Sequence, residues 1–247
     1  MDKKEKKIGP KLKRWTEERL NLRQVVAVLL NIFPIIYGEL DQRLDIKEGL
    51  QKLLKKPVPK GLSILHCFGG MTFVLFVIQI ITGILLAIYY KPSAADAYTS
   101  VKYITNTVPL GWLIRQIHAW GANLMIITML IHMVRVYFHG AFKNPRELNW
   151  VVGVVLLFLT LCFGFTGYLL PWDQRSYWGT TIGTEVAGGV PLIGNYLLII
   201  LRGSLNVTGD TLTRFYAVHV LILPWITALF LAVHFAIVKR QGIAKPL

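Results

Sequence analysis

Four long apolar stretches follow one another along the chain, separated by more polar connections. They cover residues 62–90, 112–138, 150–170 and 212–238. An α-helix of roughly 20 apolar residues crosses the hydrocarbon core of a bilayer. Inside lipid the backbone polar groups must pair within their own segment, which favours helices. The pattern therefore predicts an all-α membrane protein in which four transmembrane helices form a bundle.

The residues before the first span follow a different pattern. Residues 25–37 are apolar but short and interrupted by proline, which favours an interfacial or re-entrant helix. Residues 39–56 place leucines at helical intervals among charges, as an amphipathic surface helix does. We therefore divide the chain into a basic, partly apolar extension at 1–38, a cytoplasmic amphipathic helix at 39–61 and the four-helix domain at 62–247. The extension lacks a small-residue cleavage site, so we expect it to be retained.

The longest predicted connection runs from residue 172 to residue 210. Within it, residues 190–201 are apolar but too few to span a membrane, and they include Pro191 and Gly194. This pattern predicts short helices on the membrane surface. A loop of this length can also form part of a substrate site.

The composition agrees with an integral membrane protein, since 54% of the residues are hydrophobic and only 16% are charged. A net charge of +14 would suit nucleic acid, but 15 of the 27 lysines and arginines lie in residues 1–61. Because cytoplasmic segments of membrane proteins carry the excess of Lys and Arg, both termini and the middle connection are predicted to be cytoplasmic. We expect no binding of nucleic acid. Cys67 and Cys162 lie at different predicted depths, so we expect no disulfide.

Two spans carry two histidines each: His118 and His132 in the second, and His219 and His234 in the fourth. A step of 14 residues falls about 40° short of four helical turns, and a step of 15 overshoots by about 60°. Each pair therefore keeps roughly one face, with its members about 21 Å apart along the axis. If the two helices run parallel, His118 is level with His219 and His132 with His234.

That arrangement predicts two stacked sites with one imidazole from either side. A single histidine in a membrane can equally be a hydrogen-bonding bridge between helices. Four at matched intervals, without a carboxylate or thiolate nearby, favour two bis-histidine haems over zinc. Two further histidines, His66 and His139, are predicted at cytoplasmic helix ends without partners at matched depth, and we interpret them as interface residues.

Glycines repeat the same interval on the other two spans. Gly69 and Gly83 lie in the first span and Gly153 and Gly167 in the third, 14 residues apart in each case. Small residues often serve close helix packing in membranes. Because the interval copies that of the histidines, we prefer a specific role, in which the glycines leave room for the two haem macrocycles.

Two arginines each lie three residues from a histidine, toward the nearer edge of the membrane. Arg115 precedes His118 and Arg135 follows His132, so each shares a helix face with its histidine. Haem propionates need cationic partners at these positions. The alternative is an arginine that extends to the interface.

Six segments, in order along the chain, resemble cytochrome b6, the four-helix N-terminal half of cytochrome b in b6f and related bc complexes. They are "HCFGGMTF", "KNPRELNWVVG", "FGFTGYLLPWDQ", "PLIG", "TLTRFYAVHV" and "KRQGIAKPL". The resemblance covers residues from about 39 to the C-terminus and includes every span. Residues 1–38 have no counterpart.

The resemblance implies a cofactor for each of the residues that match the family. It assigns His118 and His219 to a low-potential haem b near the outer side, and His132 and His234 to a high-potential haem b near the inner side. It assigns Cys67 to a third haem, a haem c of the c-n/c-i type held by a single thioether bond. The glycines match haem-packing positions. The resemblance also puts Lys239 and Arg240 near the inner haems, and Lys239 stands where the family often has an arginine. Ala119 stands beside the first ligand, where the family often has a basic residue or a histidine.

The resemblance also implies a function. The chain is expected to be a subunit of a quinol-oxidising complex in a bacterial inner membrane, working by a Q cycle and inactive alone. Its contribution to the outer quinol site is expected from Gly167, Tyr168, Pro171, Trp172 and Asp173. The expected partners are a second-half cytochrome b subunit like subunit IV, which bears the Pro-Glu-Trp-Tyr motif missing here, a Rieske iron-sulfur protein and a c-type cytochrome, in a dimeric complex with membrane lipid.

Two other classes of protein are alternatives. A di-haem membrane anchor of a dehydrogenase or reductase would use the same ligands, but "GYLLPWDQ" and "KNPREL" argue against it. A proton channel or transporter would use titrating histidines, but the membrane carboxylates that such a relay usually needs are missing.

Overall fold

The computed structural model describes Glu48, Gln51 and residues 64–242. The chain divides into two units, Met1–Val58 and Pro59–Leu247. In the first unit Glu48 and Gln51 are helical and exposed, and both lie in the segment predicted to be an amphipathic helix. The rest of that prediction, the extension at 1–38 and its apolar segment 25–37 lie outside the described residues.

The described part of the second unit is helical and contains no strand. A short 3₁₀ turn, Ile64–Cys67, leads into the first helix. The helices are α1 Phe68–Ala87, α2 Ala97–Asn106, α3 Gly111–Phe138, α4 Glu147–Leu169, α5 Gln174–Gly188, α6 Gly194–Arg202, α7 Gly209–Ala217 and α8 Leu223–Gln241. A π-helical turn, Val218–Ile222, joins α7 to α8 without a break.

Four helical segments are long and apolar enough to cross a membrane: Ile64–Ala87, Gly111–Phe138, Glu147–Leu169 and Gly209–Gln241. They lie within a few residues of the four predicted spans, so the fold class is confirmed. Large apolar side chains point outward from them; Trp225 is 78% exposed and Phe158 65%. Such a surface is stable against lipid rather than water.

The spans form a four-helix bundle. The first packs on the second, the second on the third and the third on the fourth. Phe73 and Phe235, whose ring centroids are 5.1 Å apart, connect the first span to the fourth. The second and fourth spans are therefore diagonal neighbours. Because consecutive spans alternate in direction, these two run parallel, as the histidine argument requires.

The two ends of the bundle differ in their connections. At one end, here the long-loop end, residues 88–110 and 170–208 connect the spans and contain α2, α5 and α6. At the other, the short-loop end, residues 139–146 connect α3 to α4. The predicted surface helix at 190–201 corresponds to α6, whereas α2 is an element that the sequence pattern did not indicate.

Arg202 holds the long-loop end together. Its side chain is 1% exposed and donates hydrogen bonds to Thr184 Oγ1 at 2.6 Å, Leu205 O at 2.5 Å and Thr181 O at 2.8 Å. It also pairs with Glu185 Oε1 at 2.9 Å. The arginine thereby ties α6 to α5 and to the segment that leads into α7.

Candidate haem-binding site

His118 and His219, the upper pair, lie toward the long-loop end and meet across the centre of the bundle. The ring centroids of His118 and His219 are 6.5 Å apart, with the ring planes inclined at 70°. A bond from a metal ion to an imidazole nitrogen is about 2 Å long, so two imidazoles on opposite sides of one metal hold their centroids roughly 6 to 7 Å apart. The pair has the separation that a shared iron requires.

His132 and His234, the lower pair, lie at the short-loop end, so the histidines form two tiers. His132 and His234 line one cavity of about 310 Å³, together with Gly69, Gly153 and Arg135. No group of three or more His, Cys, Asp or Glu side chains able to hold a metal occurs among the described residues. In each tier the protein therefore offers two imidazoles, and a cofactor would have to supply the remaining ligands.

Each of the four glycines lies against one histidine. A Cβ at Gly167 would stand 2.7 Å from Cε1 of His219, and one at Gly69 would stand 2.9 Å from Cε1 of His132. At Gly83 the corresponding distance to His118 is 3.3 Å, and at Gly153 the distance to His234 is 3.9 Å. Glycine at these positions lets the imidazoles approach the neighbouring span. The role that we predicted, room for a macrocycle, stays a prediction.

Two threonines that the sequence analysis did not single out contact the upper histidines. Nδ1 of His118 lies 2.8 Å from Thr82 Oγ1, and Nδ1 of His219 lies 2.9 Å from Thr166 Oγ1. Each threonine immediately precedes the glycine that faces the same histidine. The only signal in the sequence is a Thr-Gly pair in the first and third spans, which is short and common.

The π-helical turn explains the unequal histidine steps. Leu223 N–H donates to Val218 O, five residues earlier, and Pro224 follows without an N–H to continue the ladder. A π-turn adds one residue to an α-helix without advancing the face by the usual 100°. The 15-residue step from His219 to His234 therefore acts like the 14-residue step from His118 to His132. The overshoot calculated for a regular helix does not occur.

Arg135 points into the cavity at the short-loop end. Its side chain is 7% exposed, and Nε and Nη2 have no hydrogen-bond partner among the described residues. A buried guanidinium without an acid is costly, so the site suits a ligand that brings a carboxylate. Haem, an apolar cofactor with carboxylate side groups, has the chemistry that the two imidazoles and the unpaired arginine in this cavity would bind.

The other predicted cations lie elsewhere. Arg115 lines a smaller cavity of about 190 Å³ at the long-loop end, with Lys102 and Asp173. Lys239 and Arg240 are exposed at the end of α8. Arg146, which the sequence analysis did not single out, lines the cavity at the short-loop end, and its Nη2 donates to Gln241 O at 3.2 Å.

His66 and His139 contact each other at the short-loop end. Their ring centroids are 5.9 Å apart with an edge-to-face inclination of 84°. The prediction that they lack a partner at matched depth is wrong. The reason lies in the end of α3, where His139 Nδ1 donates to Arg135 O at 3.0 Å and turns its ring back over the helix. Cys67, which follows His66, is exposed and carries a free thiol.

Residues 167–173, which are predicted to contribute to a quinol site, join the end of α4 to the connection at the long-loop end. Tyr90 donates to Leu170 O at 2.7 Å, and burial, with a smaller effect of Tyr216, raises the pKa of Tyr90 above its usual value. Asp173 caps α5 by accepting from Ser176 N at 2.8 Å.

Four of the predicted quinol-site residues contact α5 or line the smaller cavity. Trp172 packs on Tyr177, Tyr168 lies against Gly179, and Pro171 and Asp173 line the smaller cavity.

Comparison with known proteins covers the whole bundle. The family model Cytochrome b/b6/petB matches residues 53–242. Cytochrome b6 of Euglena gracilis is 48% identical over 212 residues, which are 86% of this chain and 99% of the relative. Cytochrome b6 of Prochlorothrix hollandica is 46% identical over 212 residues, 86% of this chain and 96% of that relative.

A solved structure, a hyperthermophilic respiratory Complex III, is similar in fold. Its chain superposes with a TM-score of 0.78 and 37% sequence identity, over 85% of this chain and 56% of that chain. The chain thus spans just over half the length of this structural relative.

Proposed function

The chain belongs to the cytochrome b/b6 family, and from that membership we propose that His118 and His219 bind one haem b while His132 and His234 bind a second. As a member of the family it is a multi-pass membrane protein and an electron-transfer subunit of a bc/b6f-type complex. The observation that carries the proposal is the pair of opposed imidazoles 6.5 Å apart, at the separation that one iron needs.

A bound haem would supply the redox chemistry, a reversible one-electron change of its iron. The protein residues would bind the haem, exclude water and neutralise its charge. Both histidine pairs face the interior of the bundle, where lipid-facing side chains exclude water. Glycines bring the imidazoles close to the neighbouring span. Arg135 would neutralise a propionate at the short-loop end, and Arg115 is the corresponding candidate at the long-loop end.

In the assembled complex the chain would couple quinol oxidation at the long-loop end to quinone reduction at the short-loop end, as in a Q cycle. At the long-loop end it would contribute Gly167, Tyr168, Pro171, Trp172 and Asp173. The hydrogen bond from Tyr90 to Leu170 O holds the middle of that segment. A second-half cytochrome b subunit, a Rieske protein and a c-type cytochrome would complete a dimeric complex that is inactive without them.

At the short-loop end, Cys67 would hold a haem c by one thioether bond. The exposed free thiol lies two residues before Gly69, which faces His132, and therefore beside the lower tier. Lys239 and Arg240 are exposed at the same end and are further candidates to contact cofactor there. We propose that this end and both termini lie on the cytoplasmic side of a bacterial inner membrane; the excess of Lys and Arg in residues 1–61 supports the cytoplasmic side.

An optical spectrum of the purified complex tests the haem proposal. We expect sharp reduced-minus-oxidised bands of two low-spin b haems. His132→Ala or His234→Ala should remove one of them, because a haem held by only one of these two histidines would be weakly bound. His139→Ala, at the same end but outside the pair, is the matched control and should keep both.

A variant without His132 that keeps both b signals would refute the assignment. A complex without any b-type bands would instead favour the proton channel or transporter. A spectrum with two b haems in a complex that lacks a Rieske protein would favour the membrane anchor of a dehydrogenase or reductase.

A further inference from the structure

The hydroxyl groups of Thr82 and Thr166 have one proton each, and each donates it to a backbone carbonyl of its own helix. Thr82 Oγ1 donates to Ile78 O at 2.7 Å, and Thr166 Oγ1 donates to Cys162 O at 2.7 Å. With its proton on that carbonyl, each hydroxyl accepts a hydrogen bond from the histidine beside it. Nδ1 of His118 and Nδ1 of His219 must be the protonated nitrogens, at 2.8 and 2.9 Å.

A proton on Nδ1 determines the protonation state of the other ring nitrogen, Nε2. In a neutral imidazole with a proton on Nδ1, Nε2 carries the free lone pair that binds a metal. The two threonines thus select the same tautomer on opposite sides of the bundle. Thr82 and Thr166 are 5% and 8% exposed, so water does not replace these bonds readily.

The lower tier is built differently. Nδ1 of His132 is buried without a hydrogen-bond partner among the described residues, and His234 faces only the backbone of Asn149, with no side-chain acceptor at its Nδ1. The residues before the two facing glycines are Phe68 and Val152, neither of which has a side-chain acceptor. The four spans therefore carry one tier with side-chain hydrogen bonds to its histidines and one tier without them.

We propose that Thr82 and Thr166 are positioning residues that lower the reduction potential of the haem at the long-loop end relative to the haem at the short-loop end. The proposal rests on the proposed function, in which His118 and His219 share a haem. A histidine that donates from Nδ1 to an oxygen is a more basic ligand through Nε2. A more basic ligand stabilises the oxidised iron more than the reduced iron, which lowers the potential.

Redox titration of the purified complex, followed in the b-type absorption bands, tests this. The haem of the long-loop end is identified as the one that His118→Ala loses. In Thr82→Val and Thr166→Val its midpoint potential should shift upward, more in the double variant, while the midpoint of the other haem stays unchanged. Thr82→Ser and Thr166→Ser keep the hydroxyl and should titrate like the unaltered protein.

Thr160→Val is the matched control. Thr160 lies on the same helix as Thr166, is 6% exposed and also donates to a carbonyl four residues earlier, Leu156 O at 2.8 Å. Its hydrogen bond runs along its own helix, and its side chain lines the cavity at the short-loop end, away from His118 and His219. Thr160→Val should therefore leave the midpoint of the long-loop haem in place.

The outcomes separate the two proposals. If the unaltered complex has two b haems but Thr82→Val and Thr166→Val leave both midpoints unchanged, the threonines do not tune the site. An equal shift with Thr160→Val would overturn the inference in the same way. If Thr166→Val does not assemble, Thr82→Val carries the test alone, because Gly83 leaves its histidine more room. A complex without two b haems refutes the proposed function instead.

Discussion

Gly167 lies directly against the imidazole of His219, so that a Cβ on the glycine would stand 2.7 Å from Cε1 of the ring. That is closer than carbon atoms approach without displacement. The ring cannot simply turn away, because Thr166 holds its Nδ1 at 2.9 Å. Gly153 is in the opposite situation, since its Cβ would meet Met133 Sδ at 3.7 Å and His234 at 3.9 Å, both ordinary contact distances.

This difference predicts a graded response to alanine. Gly167→Ala should displace His219 and weaken haem binding at the long-loop end roughly 10- to 100-fold, the equivalent of an overpacked core site. Gly153→Ala should keep its haem. The haem content per chain and the optical spectrum of each purified variant measure the effect. Equal haem retention in the two variants would show that the glycines do not hold the histidines in place.

The sequence predicted the four spans, the pairing of the histidines and their division into two tiers. These features follow from apolar run lengths and from the helical period, which are local properties. The contacts of His66 with His139, of Thr82 with His118 and of Arg146 with the cavity depend on how the helices rotate and end. A threonine bonded to its own helix also looks the same in sequence whether or not a histidine lies beside it.

The π-turn is a second feature that the regular helical period could not predict, and it leads to a deletion test. Removing Leu221, an exposed residue inside Val218–Ile222, should let the turn close as an α-helix with a 14-residue histidine step. Both histidines should keep their face, and both b haems should remain. Removing Ile127, which is also exposed but lies in regular helix between His118 and His132, should rotate one histidine by about 100° and lose a haem.

Spectra of the two deletion variants at equal protein amounts provide the comparison. Loss of a haem from the Leu221 deletion, with both retained in the Ile127 deletion, would contradict the explanation of the 15-residue step. The same result would remove the argument that both pairs share one geometry.

Arg202 is predicted to matter for stability and not for haem binding. Arg202→Gln would leave the buried Thr184 Oγ1 without its donor, at about 1 to 3 kcal/mol, and would also remove the partly buried bonds to Thr181 O and Leu205 O. The melting temperature, followed by tryptophan fluorescence, should fall by roughly 5 to 10 °C. Arg175→Gln, on the exposed surface of α5, is the control and should melt like the unaltered protein. A normal melting temperature for Arg202→Gln, or a changed b-type spectrum, would contradict this role.

Cys67 is predicted to carry a covalent haem. A cysteine at the edge of a membrane is usually a small apolar packing residue, and the usual attachment motif Cys-x-x-Cys-His is absent. The structure nevertheless leaves the thiol exposed and free at the end of the bundle that holds His132 and His234. Attachment of a cofactor requires access to the sulfur, and the exposed position of Cys67 on this chain allows it.

Denaturing electrophoresis followed by peroxidase staining of haem measures this directly. After acid-acetone extraction of the b haems, the chain purified from its native complex should keep a stained band near its mass of 28.0 kDa. Cys67→Ala should lose the band, because no thioether can form. Cys162→Ala, which removes the half-buried thiol in the third span, should keep it. If the unaltered chain shows no band, Cys67 binds no haem, and quinone at the short-loop end would have to be reduced from the site of His132 and His234 itself.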